Sequence, residues 1–309
     1  MEVVDQIKAP SWFWICSKIA GGALFAAACL FVVRQFFVYW GDLNDHAIPA
    51  ETWIVCFFVS IIYASLNLLL AFGWLKILDG LGATVKSASG IRIYAISQLA
   101  KYVPGNIFQF AGRHVLAEGS GVSHTTLAKS TLIELATLVA GGVMCLPLIL
   151  PYLVPSLPWW MKLAVFILPI LLLLYLATRH FGQNFLNAIT CYLLFLLGTG
   201  VCFAFIFIII ADVVADPSSV AFFTGAFVVA WLVGLVTPGA PAGLGVREAI
   251  LTLLLASFAP TPQILLAVLM SRMTTLGGDV LFFISGFFVN RKKPRHSLET
   301  ANNTKACNE

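Results

Sequence analysis

Two arginines stand at matched distances behind two Pro-Gly pairs. Residues 102–115 read YVPGNIFQFAGRHV, and residues 236–249 read VTPGAPAGLGVREA. Arg113 falls nine residues after Pro104, and Arg247 nine residues after Pro238. Proline removes an N–H and clashes with the preceding turn, and glycine lets the backbone reverse or approach closely. The helix that restarts after such a break presents free N–H groups and the positive end of its dipole. A guanidinium there adds a planar, permanently charged fork that suits phosphate. Gly105, Gly112 and Arg113 at the first break, and Gly239, Gly243, Gly245 and Arg247 at the second, are therefore candidate anion-binding residues. Glu248 suits the same positive helix start. The alternative is that Arg247 and Glu248 pair with other groups of the chain and tie helices together. Residue type alone does not choose between the two.

A second echo follows each break. The run LAKSTLIELATLVAGG (127–142) can be laid against LAVLMSRMTTLGGD (266–279). Each carries an ionisable residue deep in an apolar stretch, Glu134 in the first and Arg272 in the second. A charge in the middle of a bilayer costs at least ~2.5 kcal/mol even on lenient scales. Something must offset that cost: a counter-ion, protonation or a substrate. Glu134 shares its helix face with Ser130 and Thr137, and Arg272 is its expected counter-ion. Asp279, seven residues beyond Arg272, is an alternative partner for that arginine. A proton-coupling role for Glu134 or Asp279 stays open. Matching breaks in two halves of a chain indicate an internal repeat and point to a transporter's substrate site.

The elements that must position these residues follow from composition. The 309 residues are 60% hydrophobic and 10% charged, with net charge +4 and mean hydropathy +0.94. Soluble domains carry about 25% charged residues, so the solvent for this chain is lipid. Continuous apolar runs exclude a β-barrel, whose strands alternate. Spans are expected at 13–38, 51–75, 125–150, 159–178, 187–211, 219–237 and 263–289, each near the length a bilayer demands. The fold class is all-α and polytopic, with about eight crossings and two Pro-Gly-broken or re-entrant segments. Residues 80–124 hold a mildly apolar helix around Ile91, Ile93, Ile96 and Leu99, then the first break. Residues 238–260 are either an eighth span or a half-helix that turns back.

Orientation follows lysine and arginine. Lys76, Lys86, Arg92, Lys101, Arg113 and Lys129 in 76–129, Arg179, and the tail NRKKPRH should face the cytoplasm. The acidic loops 41–51 and 211–219 should face outward. Both termini are then cytoplasmic, the number of crossings is even, and 238–260 should cross. Arg34 and Lys162 sit against this scheme and are expected to snorkel. The N-terminus makes a poor signal peptide, because Glu2, Asp5 and Lys18 surround the start of its apolar run. Trp12, Trp14, Trp40, Trp159 and Trp160 read as interface anchors.

Other chemistry finds little support in the sequence. The seven cysteines show no ligand spacing. His114 and His124 have no second ligand at fixed spacing, so no metal is expected. No cofactor or nucleic-acid partner is expected, and no Ser/His/Asp or Cys/His constellation can be argued. The expectation is a protein that is not an enzyme.

The blocks YVPGNIFQFAGRHVLAEGSGVS, TLIELATLVAGG and TPGAPAGLGVREAILTLLL resemble the lysylphosphatidylglycerol synthase transmembrane-domain family, the flippase-like integral membrane domain. The resemblance covers about 10–290, and its most specific part is the second break. It implies translocation of lipids with charged head groups across the bacterial inner membrane. By position it implies roles for Pro104, Gly105, Gly112 and Arg113, for Glu134, for Gly243, Gly245, Arg247 and Glu248, and for Arg272. Two departures weaken a contact to an amine-bearing head group: Leu135 follows Glu134 where the family has arginine, and Gln109 and Ala111 stand near Arg113 where it often has Gly-Glu. The synthases' soluble aminoacyl-transferase domain has no counterpart in these residues, so lysyl transfer is not expected.

Residues 1–290 are expected to form the flippase-like domain, and 291–309 a basic, disordered cytoplasmic tail. The expected function is flipping of an anionic phospholipid or polyprenyl-linked glycolipid. Arg113, Arg247 and Arg272 would hold its phosphate, with Glu134 and Glu248 orienting them. Expected partners are the membrane lipid and envelope-biosynthesis proteins. The rival expectations are a membrane-embedded transferase on a lipid-linked sugar and a scaffold of an envelope-synthesis complex.

Overall fold

A computed structural model describes residues 50–102, 108–117, 120–154, 156, 158–214, 216–237 and 245–289. The expected span 13–38, Pro104, Gly105, Pro238, Gly239, Gly243 and the tail 291–309 lie outside them. Among the described residues the protein is all-helical, with six helices long and apolar enough to cross a membrane. It is a multi-pass membrane protein.

Helix α1 (Ala50–Gly80) runs antiparallel to α7 (Gln183–Ala211), so that Gly73 meets Tyr192 and Gly198 meets Leu66. α8 (Pro217–Val236) and α10 (Thr261–Phe288) complete the bundle's centre. Close approach replaces the hydrophobic drive that water would supply, and small residues permit it. A methyl group at Gly200 on α7 would stand 2.8 Å from the Thr224 carbonyl oxygen of α8. One at Gly278 on α10 would stand 2.7 Å from the Ser60 carbonyl oxygen of α1. Asp216 caps α8, accepting from the N–H groups of Ser218 and Ser219 at 3.3 and 3.1 Å. Large apolar side chains such as Phe57, Leu168, Leu172 and Phe205 are more than half exposed, as lipid-facing residues are. α6 (Trp159–Phe181) buries none of its apolar window. Trp160 near its start is exposed; the side chain of Trp159 lies outside the described set.

The two broken regions interrupt this frame. α2 (Ser87–Gln98) continues into a 3₁₀ turn, Leu99–Tyr102, and climbs along α10. Its Ala95 lies against Gly286, and Lys101 reaches Asp279, about two and a half turns inside the end of α10. After the break α3 (Phe108–Ala117) returns to α4 (His124–Met144), whose N-cap Ser123 accepts from the Thr126 N–H at 3.2 Å. α2 and α3 thus pack as the two arms of a helical hairpin, and Lys101 and Tyr102, the last residues described before its tip, reach the buried Asp279. A 3₁₀ turn (Leu146–Ile149) and the single turn α5 (Leu150–Leu153) follow α4.

α9 (Val246–Leu255) has ten residues and is about 15 Å long, half of what a full crossing requires. By residue 258 the chain is back at the end at which α8 began. Phe258 packs on Phe222 and Phe223 in the first two turns of α8, with ring centroids at 5.2 and 4.9 Å. Of the two expected alternatives, a span or a half-helix, the described residues show a helix of half-span length.

Candidate anion-binding cavity

Each broken region brings charge into the bundle, and the charges sort into three pairs and a remainder. At the first break Arg113 and Glu134 form a salt bridge at 2% and 1% exposure. Tyr94 donates its hydroxyl proton to the other Glu134 oxygen at 2.7 Å. The Arg113 guanidinium lies 3.8 Å from the centre of the Tyr94 ring and 5.2 Å from that of Trp74, stacked as arginine stacks on aromatic faces. Trp74 donates to Ser130 at 3.1 Å. These contacts seal the arginine on every side that α1, α2 and α4 offer.

Asp279 is fully buried and neutralised at the hairpin tip. Lys101 pairs with it at 2.6 Å, the Tyr102 hydroxyl donates to it at 2.5 Å, and the Asn67 amide donates to it at 3.1 Å. Gln98 donates to Asn67 in turn, at 3.3 Å. At the second break Arg272 pairs with Glu248 at 2.8 Å, both partly exposed. Arg247 differs from the other cations. Among the described residues no carboxylate lies within 4 Å of it. Its Nε, like that of Arg113, is enclosed without a hydrogen-bond partner, and its guanidinium lies 5.8 Å from the centre of the Trp231 ring.

A cavity of about 130 Å³ opens between the two breaks. Lys101, Gln98 and Gln109 line it from the first, Arg247 from the second, and Arg272 and Thr275 from α10. Phe195, Phe227 and Trp231 form its apolar wall, and Glu134 reaches its edge. At ~10–15 Å³ per water position, this volume holds about ten waters or a phosphate-sized group.

Several sequence expectations are corrected here. Glu134 pairs with Arg113, not with Arg272, because the hairpin brings α3 onto α4 while α10 stands across the cavity. Asp279 is not the partner of Arg272; it faces α1 and the hairpin tip. Arg113 does not line the cavity, so it is not placed to hold a head group, and Glu134 orients Arg113 alone among the three arginines. The two glycines that precede these arginines also differ. Gly245 caps α9 at φ +82, which only glycine adopts readily. Gly112 lies inside α3 with open space where a side chain would stand. Of the candidates described, Arg247 and Arg272 share the cavity, with Glu248 behind Arg272.

Sequence reasoning missed Lys101, Tyr102, Tyr94 and Asn67 as site residues. Lys101 was legible only as an orientation marker. Its signal was position: three residues before Pro104 and seven after Tyr94, hence on one helix face with it.

The fold and cavity define an all-helical, multi-pass membrane protein with a cationic chamber between two helix breaks. No protein-family model matches the chain, and no curated protein matches it.

Proposed function

We propose that the protein translocates, or helps translocate, an anionic phospholipid or polyprenyl-linked glycolipid across the bacterial inner membrane. The observation that carries this reading is the unmatched Arg247 on an interior cavity it shares with Arg272 and Lys101. A cation at membrane depth with no carboxylate partner among the described residues is costly, and an anionic ligand offsets that cost. The resemblance of the two breaks to the flippase-like family supports the same substrate class. In this mechanism Arg247 and Arg272 hold the phosphate, Trp231 and Phe227 flank it, and Glu248 fixes Arg272. The two broken segments move to expose the cavity to one leaflet and then the other. The basic tail and acidic loops put both termini in the cytoplasm, and a periplasmic signal from a reporter fused after Asn290 would contradict this.

The test is reconstitution in vesicles with a fluorescent anionic lipid. Wild-type protein should speed its exchange between leaflets, and Arg247→Lys should slow it per folded molecule while yield stays near wild type. If Arg247→Lys and Arg247→Ala both match the wild-type rate, the assignment fails. Native mass spectrometry of co-purified lipid names the head group directly.

A further inference from the structure

The charges around the cavity narrow the substrate class. Within the bundle, Arg113 cancels Glu134, Lys101 cancels Asp279, and Arg272 cancels Glu248. Among the described residues, Arg247 is left over. The two break segments themselves, 103–107 and 238–244, contain no ionisable side chain. We propose that the cavity is charge-matched to a head group carrying one negative charge, a phosphodiester, and discriminates against a diphosphate. This inference rests on the translocation reading and specifies its substrate.

The physical reason is desolvation. In a site walled by Phe195, Phe227 and Trp231, any charge left uncompensated is paid for at low dielectric. One phosphodiester brings the cavity to neutrality. A diphosphate diester brings two negative charges and leaves one without a partner. The three existing pairs cannot supply a second cation without stranding Glu134, Asp279 or Glu248. A phosphodiester can come from a glycerophospholipid or from a polyprenyl monophosphate-linked sugar, and both present the same group to Arg247.

The experiment uses the full chain in phosphatidylcholine nanodiscs, with Trp fluorescence and native mass spectrometry reporting binding. Three probes are titrated: dioleoylphosphatidylglycerol, a polyprenyl monophosphate-linked mannose, and a polyprenyl diphosphate-linked mannose, which is a diphosphate diester. At least one phosphodiester should bind ~10-fold or more tightly than the diphosphate, and the two phosphodiester arms reveal which source the protein prefers. Glu248→Gln removes one negative charge from beside Arg272 and should shift the preference toward the diphosphate by a similar factor. Asp279→Asn makes the same change from the Lys101 side, should the first variant not fold. Equal or tighter binding of the diphosphate by the wild type overturns the charge match while keeping an anion site. An unchanged preference in a folded charge variant overturns it too. If no anionic probe binds better than phosphatidylcholine, the translocation reading itself falls.

Discussion

The two broken regions start from the same sequence device and end in opposite electrostatic states. Behind the first break, Arg113 is enclosed by Tyr94 and Trp74 and cancelled by Glu134. Behind the second, Arg247 faces a cavity, with the Trp231 ring 5.8 Å from its guanidinium and no carboxylate partner among the described residues. The difference lies in the helix that follows. At the position where α4 offers a carboxylate, α10 offers Arg272, which claims Glu248 for itself. One half of the chain has used its charge to fasten a hairpin, and the other has kept a cation in reserve. A shared motif therefore does not carry a shared role; the residue it meets decides.

That contrast can be broken most forcefully at the sealed pair. Arg113→Met or Glu134→Gln alone strands a buried charge, and each should lower stability by about 3–5 kcal/mol. The double variant should recover most of that loss in a thermal unfolding assay. Strictly additive losses would show that the two groups do not act as a pair.

Arg247→Met should behave in the opposite way. It removes a charge that has no carboxylate partner among the described residues, so thermal stability should hold or rise. Lipid translocation should drop at least ~10-fold, equivalent to about 1.4 kcal/mol. A stability loss comparable to that of Arg113→Met would make the second break a clamp like the first.

The glycines sharpen the comparison at the smallest scale. Gly245→Ala forces a side chain to φ +82 and should cost about 1–2 kcal/mol. Gly112→Ala fills open space inside a helix and should be neutral or stabilise by roughly 0.5–1 kcal/mol. Melting temperatures of the two variants test this directly; a Gly112→Ala loss as large as that of Gly245→Ala would restore the equivalence of the motifs.

How far the sequence speaks depends on which force is in command. The spans read from apolar runs at 187–211, 219–237 and 263–289 lie within a few residues of Gln183–Ala211, Pro217–Val236 and Thr261–Phe288. Lipid makes that reading direct, because length and apolarity alone determine a crossing. The half-helix α9 was legible only as an alternative, since ten residues after a glycine-rich break carry no length signal. Charge pairing was the least legible. Glu134 had several cations within the same depth range, and the fold rather than the spacing chose Arg113. Arg247 and Glu248 are neighbours in sequence, yet it is Arg272 that holds Glu248.

The bond at the hairpin tip has a consequence for how this protein is made. Tyr102 and Asp279 are 177 residues apart, and Lys101 depends on the same carboxylate. At about 5–20 residues per second, the ribosome needs roughly 10–35 s to supply that partner. Until then Lys101 and Tyr102 lack the carboxylate that holds them both. The contact that ties the first broken region to α10 therefore forms only after α10 itself has been made.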